Sequence, residues 1–152
     1  MTVEILSEPA APAVPRRDTL LAMRRGFGCA CPACGQGRIY ASFLKVRDAC
    51  SSCGEELHHH RADDAPPYFT IFVVGHVIVA GVMAVEKAYA PELWVHALIW
   101  LPLIVGLSLL LLPRIKGALI GLQWAQRMHG FGDDDEEAAL ASAAAAHDPA
   151  TR

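Results

Sequence analysis

Four cysteines form two matched pairs whose spacing is typical of a metal site. Cys31 lies three residues before Cys34, and Cys50 lies three residues before Cys53, giving the pattern C-x2-C-x15-C-x2-C. Two thiolates at this spacing can bind one ion if the loop turns sharply, and the glycine after each pair permits the positive φ that such a turn needs. The pattern predicts one tetrahedral four-cysteine site per chain. Thiolate ligands favour zinc there, with iron as the second candidate.

A site with all four positions filled by protein ligands is closed, so we expect the zinc to stabilise the fold rather than to perform chemistry. Residues 29–57 are therefore predicted to be a zinc ribbon with short strands, of which Arg38 to Val46 is the best candidate. This segment is too short to bury a sufficient core without a metal. The alternative is that the pairs are redox-active or bind nothing. Cys29 is left over: it is a free thiol, an alternative ligand or a redox sensor.

A second group of metal-binding residue types follows in the polar linker, residues 58–67. Its structural interpretation is that an aspartate caps the next helix, with Pro66 in the first turn. Its functional interpretation is a second metal site or a functional surface. The residues are His58, His59, His60, Asp63 and Asp64.

Two apolar segments without formal charge follow the linker and would hold the predicted metal-binding residues at one end. Residues 68–85 and 93–112 have the length and composition of transmembrane helices, and residues 86–92 form a short loop between them. Buried helices of a soluble domain are the alternative, but neither segment has a polar face. The sequence thus predicts a transmembrane hairpin.

Ionisable side chains inside these spans are candidates for function. His76 lies near the middle of the first span, where it is either functional or a neutral imidazole bonded to a neighbouring helix. His96 lies about 10 Å away along the axis by helical rise, so the two histidines should not share a metal within one chain. Glu86 is the more plausible partner of His96. Ala80 and Ala84 offer a small-residue surface for close helix packing.

The basic residues near the spans predict the topology. The loop contains only Lys87, whereas the opposite flanks carry four basic residues, so both termini and the zinc ribbon are expected in the cytoplasm and the loop in the periplasm. The first fifteen residues lack the pattern of a secretory signal, and reducing cytoplasm favours metal over disulfide. A multi-pass protein of the inner (plasma) membrane is predicted. The four flanking residues are Arg61, Arg114, Lys116 and Arg127.

The remaining segments complete the predicted fold class: a small membrane protein with an N-terminal zinc ribbon of short β structure, an α-helical transmembrane hairpin and an interfacial amphipathic helix. Residues 1–28 are predicted to be a disordered arm and a short basic helix. Residues 113–131 are predicted to be the amphipathic helix on the membrane surface. Residues 132–152 are predicted to be an acidic, alanine-rich disordered tail.

The stretches CPACGQGRIYASFLKV, CSSCGEEL, HHRADDAPPYFTIFVVGHVIV and PRIKGALIGLQWAQRMHGF, between Cys31 and Phe131, resemble the bacterial membrane family catalogued as domain of unknown function 983. The resemblance implies a zinc-ribbon-like head and two spans. It draws attention to Asp63, Asp64 and His76, which match the characteristic segment of the family. Family members are encoded near cytochrome oxidase assembly genes in alphaproteobacteria, so the resemblance also suggests a part in respiratory-chain assembly.

Three functional hypotheses follow. The first is a non-enzymatic adaptor or assembly factor that contacts the lipid bilayer and a membrane-protein partner. Under this hypothesis the chain can also form an oligomer with copies of itself. The second is metal handling by the segment His58 to Asp64, assisted by Cys29. The third is an enzyme or transporter, which the lack of a Gly-rich phosphate loop or catalytic triad disfavours. The formal net charge of −3 does not suggest a nucleic-acid partner.

Overall fold

The computed structural model describes residues 16–61, 64–133, 135 and 137–141. The predicted arm of residues 1–15, the linker residue Asp63 and the end of the predicted tail, residues 142–152, lie outside the described residues.

The first element is the helix α1, Thr19–Phe27, which matches the predicted short basic helix. Its N-terminus is capped by Asp18, whose carboxylate accepts a hydrogen bond from the backbone N–H of Leu21 at 2.9 Å. Ala22 and Gly26 are the buried residues of the helix, and both are small. The helix therefore offers a face on which another backbone can lie closely.

The cysteine-rich segment contains a two-stranded antiparallel hairpin of β1, Tyr40–Ser42, and β2, Lys45–Val46. This corrects the prediction of a single strand over Arg38 to Val46. The chain reverses at Phe43 and Leu44, and Leu44 adopts a left-handed conformation (φ 60°) that an extended strand does not allow.

Two long helices follow: α2, Ala65–Tyr89, and α3, Leu93–Ala125. They pack against each other as a hairpin, and both are long and apolar enough to cross a membrane. Each helix is longer than its predicted span. Helix α2 begins inside the predicted linker, with Pro66 in its first turn, and α3 continues past residue 112. A short 3-10 turn, Met128–Gly130, ends this part of the chain.

Helix α3 runs without interruption through Pro113. This corrects the prediction of a separate interfacial helix over residues 113–131, which assumed a helix break at the proline. The carbonyl oxygen of Pro113 accepts a hydrogen bond from the hydroxyl of Tyr40 at 2.7 Å. The apolar face of α3 beyond the proline contacts the head, which comprises α1 and the cysteine-rich segment after it (residues 19–57). Ile120 is fully buried there and clusters with Ile39 and Phe131, so this face is not free to lie on a membrane surface.

The head is held on α3 by contact between two backbones. Gly26 of α1 lies directly against Gly117 of α3, and Gly121 lies against the backbone of Ala22. A Cβ atom added at any of these glycines would overlap the backbone of the facing helix. The cysteine-rich segment is therefore joined to α3 by helix packing as well as by the chain.

Several residues of the predicted disordered tail, residues 132–152, are helical instead, and one of them pairs with arginines that lie on either side of the long hairpin in the sequence. Asp133, Asp135 and residues 137–141 have helical backbone. The carboxylate of Asp135 pairs with Arg17 at 2.7 Å and with Arg127 at 3.0 Å. The guanidinium of Arg17 also lies over the ring of Trp124, 4.2 Å from its centroid.

Candidate metal centre

The sulfur atoms of Cys31, Cys34, Cys50 and Cys53 all lie within 4.8 Å of one another. Cys31 Sγ is 3.8 Å from Cys53 Sγ, and Cys34 Sγ is 3.8 Å from Cys50 Sγ. Four sulfurs placed tetrahedrally at a metal–sulfur distance of about 2.3 Å are separated by roughly 3.8 Å. The structure thus brings the four predicted ligands together in an arrangement compatible with one tetrahedral ion.

The two cysteine pairs lie on matched turns. In the first, the N–H of Gly35 donates to the carbonyl of Cys31 at 2.8 Å; in the second, the N–H of Gly54 donates to the carbonyl of Cys50 at 3.0 Å. Both glycines have positive φ, 73° and 76°, as the sequence predicts. Each turn directs two sulfurs to the same side.

Backbone N–H groups point at the sulfurs and favour the thiolate form. Hydrogen bonds from the backbone of Gly37 and Gln36 lower the pKa of Cys34 to about 6. The N–H of Ser52 donates to Cys50 Sγ at 3.4 Å in the equivalent place. Burial raises the pKa of Cys31, so this thiol needs the charge of a bound cation to ionise at neutral pH.

Two residues that were not predicted from the sequence hold the cysteine turns in place without being ligands. Arg25 of α1 donates to the carbonyls of Pro32 and Ala33, at 3.0 and 2.6 Å, and so fixes the first turn. Gly37 lies so close to Cys50 that an added Cβ would overlap its sulfur. No local sequence pattern predicts either role, because each residue contacts a turn outside its own segment.

Cys29 lies outside the group of four sulfurs. It is half-buried, with a left-handed backbone (φ 59°), and its N–H donates to the carbonyl of Gly26 at 2.8 Å. With Tyr40 and Pro113 it lines a cavity of about 580 Å³ between the hairpin and α3. Burial, and then the charge of the nearby Cys29, raise the pKa of Tyr40, which keeps its hydroxyl protonated as the donor to Pro113.

The structure divides the predicted His–Asp cluster. His58 and His59 point their ring nitrogens at Glu56, a residue that was not predicted to belong to the cluster. A ring nitrogen of His60 instead lies 2.8 Å from the carbonyl of Leu57. Asp64 stands at the N-cap of α2 without a side-chain capping bond, although Pro66 occupies the first turn as predicted.

The two histidines of the long helices have different partners: one bonds within its own helix and the other bonds to the facing helix. The ring of His76 is exposed and lies 2.7 Å from the carbonyl of Phe72, one turn earlier in the same helix, rather than bonding to α3. His96 pairs with Glu86 at 3.0 Å, which confirms that expectation, and accepts a hydrogen bond from Trp100 at 3.0 Å. These bonds join the two helices near their connecting loop.

The protein therefore consists of a cysteine-rich head with a four-sulfur centre, packed on a hairpin of two long apolar helices. The chain belongs to the family described as "Protein of unknown function (DUF983)", whose sequence pattern matches residues 40–124. The match includes the β-hairpin, the second cysteine pair, all of α2 and all but the last residue of α3. The first cysteine pair and α1 precede it, so the head extends beyond the matched part.

Comparison with curated proteins and with solved structures gives no match.

Proposed function

We propose that the chain is a bacterial inner-membrane protein that serves as an adaptor or assembly factor for a membrane-protein complex. Its head holds one structural zinc ion through Cys31, Cys34, Cys50 and Cys53. The observation that carries the proposal is the backbone contact between Gly26 and Gly117, because it joins the head that contains the metal centre to the part of α3 beyond Pro113.

Insertion of α2 and α3 is supported by their uncovered apolar surfaces. Leu98 and Leu101 are exposed to 67 and 62% of their surface, whereas a soluble domain would bury side chains of this kind. Helix α3 has 33 residues and is about 50 Å long, which exceeds the roughly 30 Å hydrocarbon layer. The surplus is the part after Pro113 that contacts the head.

The β-hairpin contacts α3 at the proposed end of the second span. Tyr40 bonds to Pro113, and the ammonium of Lys116 donates to the carbonyl of Leu44 at 3.2 Å. Phe43, at the tip of the hairpin, is 59% exposed. An exposed apolar ring near a basic side chain suits the boundary between membrane and water.

The closed centre supports a structural rather than a chemical role for zinc. Four sulfurs within bonding range of one ion leave no position for a substrate. The ion would supply folding free energy to a head that has only two small hydrophobic clusters in the described residues. What remains for function is the surface that the head presents beside the membrane.

Recovery of bound proteins from detergent-solubilised membranes tests the adaptor role. We expect one membrane-protein partner to be enriched by the unaltered chain and by the Gly106→Ala variant, whose added Cβ meets nothing within 4 Å. The Gly117→Ala variant should lose that partner while it keeps its zinc. A chain that is recovered without any reproducible partner would contradict the adaptor role.

Labelling with a membrane-impermeant maleimide tests the orientation. In a Cys29→Ser background in bacterial spheroplasts, the Lys87→Cys variant should react from outside and the Arg61→Cys variant should react only after lysis. The reverse pattern would place the head outside, and equal labelling of both would exclude insertion as a hairpin.

A further inference from the structure

A second group of metal-binding side chains lies on the head, outside the four-sulfur centre. Ligand atoms of Glu56, His58 and His59 all lie within 4.8 Å of one another. Glu56 Oε2 is 3.2 Å from His59 Nε2 and 3.7 Å from His58 Nδ1. Nitrogen and oxygen ligands at about 2.0–2.1 Å from a tetrahedral ion are separated by roughly 3.3 Å. The separation of Glu56 and His59 is close to this value, and that of Glu56 and His58 is somewhat longer.

The fold brings these residues together through the second cysteine turn. Glu56 forms an isolated antiparallel bridge with Ala49, and the N–H groups of Leu57 and His58 both donate to the carbonyl of Asp48, at 2.8 and 3.2 Å. Leu57 is fully buried, so it anchors the segment between the ligands. The positions of Glu56 and His58 are therefore set by the same strand-like pairing that closes the cysteine centre.

The position of His59 is set from the other side by the short segment that follows α3. Its ring packs edge-on against Phe131, with 5.7 Å between the ring centroids. A Cβ at Gly130 would lie 2.7 Å from His59 Nδ1, so the glycine leaves room for the ring. This packing directs Nε2 towards Glu56 and leaves it as the coordinating atom.

We propose that Glu56, His58 and His59 bind one divalent zinc ion at a second, exchangeable site. Two imidazoles and one carboxylate are a set of borderline and hard ligands that suits zinc. Three protein ligands leave a coordination position open, unlike the cysteine centre. The side chains of Glu56 and His58 are about half exposed, so the ion exchanges with solvent. This site does not depend on the adaptor role.

Zinc binding to the full-length protein in detergent tests the site. We expect two zinc ions per chain, one of which is removed by a mild chelator while the other stays. Glu56→Gln, His58→Ala and His59→Ala should each weaken the labile site by at least about tenfold, the lower end of what an outer-shell partner alone is worth. His60→Ala is the matched control, because the ring of this neighbouring histidine bonds to a backbone carbonyl.

The tightly bound zinc reports on folding, since it should remain in every variant. A single zinc per chain in the unaltered protein would overturn the proposal. So would a labile zinc that survives all three ligand substitutions, or one that His60→Ala removes as fully as they do. Loss of the tight zinc in a ligand variant would likewise count against a separate site.

Discussion

Gly26 and Gly117 face each other across the contact between α1 and α3, and each occupies the space in which the other would carry a Cβ. The contact lies beyond Pro113, where α3 has passed the length that a bilayer requires. It joins the cysteine-rich head to the long hairpin through backbone atoms. Glycine is the residue that allows this approach.

Gly117→Ala should weaken the docking of the head. The added methyl group would overlap the backbone of α1, and overpacking of this kind costs about 1–3 kcal/mol. Thermal unfolding of the detergent-solubilised protein should show a lower midpoint, by about 2–4 °C for each kcal/mol in a chain of this length. Gly106→Ala, in the same helix but with open space around the added Cβ, should not lower the midpoint. Equal unfolding midpoints for Gly117→Ala and Gly106→Ala would mean that α1 and α3 are not in contact at this position.

Arg25→Ala should speed the loss of metal from the cysteine centre. The variant removes the two hydrogen bonds to the carbonyls of Pro32 and Ala33 that hold the first turn. Groups that orient metal ligands are typically worth about 10–100-fold in affinity. The rate of transfer to a coloured chelator measures the effect. Arg24→Ala is the control, because Arg24 is the exposed neighbour on the same helix. Indistinguishable transfer rates would remove Arg25 from the centre.

Gly81→Val should disturb the packing of α2 against α3. A Cβ at Gly81 would lie 2.6 Å from an edge atom of the Trp100 ring. The tryptophan would have to move and would lose its bond to His96. Resistance of the hairpin to unfolding by dodecyl sulfate should decrease. Gly75→Val, in the same helix with nothing within 4 Å of its added Cβ, should leave that resistance unchanged. A larger effect from Gly75→Val would indicate a different pairing of the helices.

Cys53→Ser should abolish tight metal binding, whereas Cys29→Ser should preserve it. Removal of one thiolate leaves three ligands in a centre whose burial raises the pKa of Cys31, so the remaining set binds an ion poorly. Metal content by plasma mass spectrometry gives the ratio of metal to protein. Chelation of the unaltered protein should make the head sensitive to protease while the long helices keep their circular dichroism. A full metal complement in Cys53→Ser would exclude the four-sulfur centre.

Local patterns in the sequence were sufficient to predict the cysteine centre and the two long helices. The spacing of the cysteines, and the glycine after each pair, specify turns that need no distant partner. Uninterrupted apolar residues specify helices in the same way. The basic and apolar residues before Gly28 predicted α1.

Contacts between distant parts of the chain explain what the sequence did not predict. Pro113 normally ends a helix, but α3 continues through it, with Tyr40 bonded to the proline carbonyl and the head packed on the face beyond. Glu56 joins His58 and His59 because its strand-like pairing with Ala49 sets its direction. Neither relationship leaves a periodic or compositional signal.

X-ray absorption at the zinc edge, on full-length protein purified with one equivalent of zinc, tests the central claim most directly. The account predicts four sulfur neighbours at about 2.3 Å and no nitrogen or oxygen in the first shell. Histidine nitrogens around the first equivalent, or disulfides in place of the metal, would contradict it.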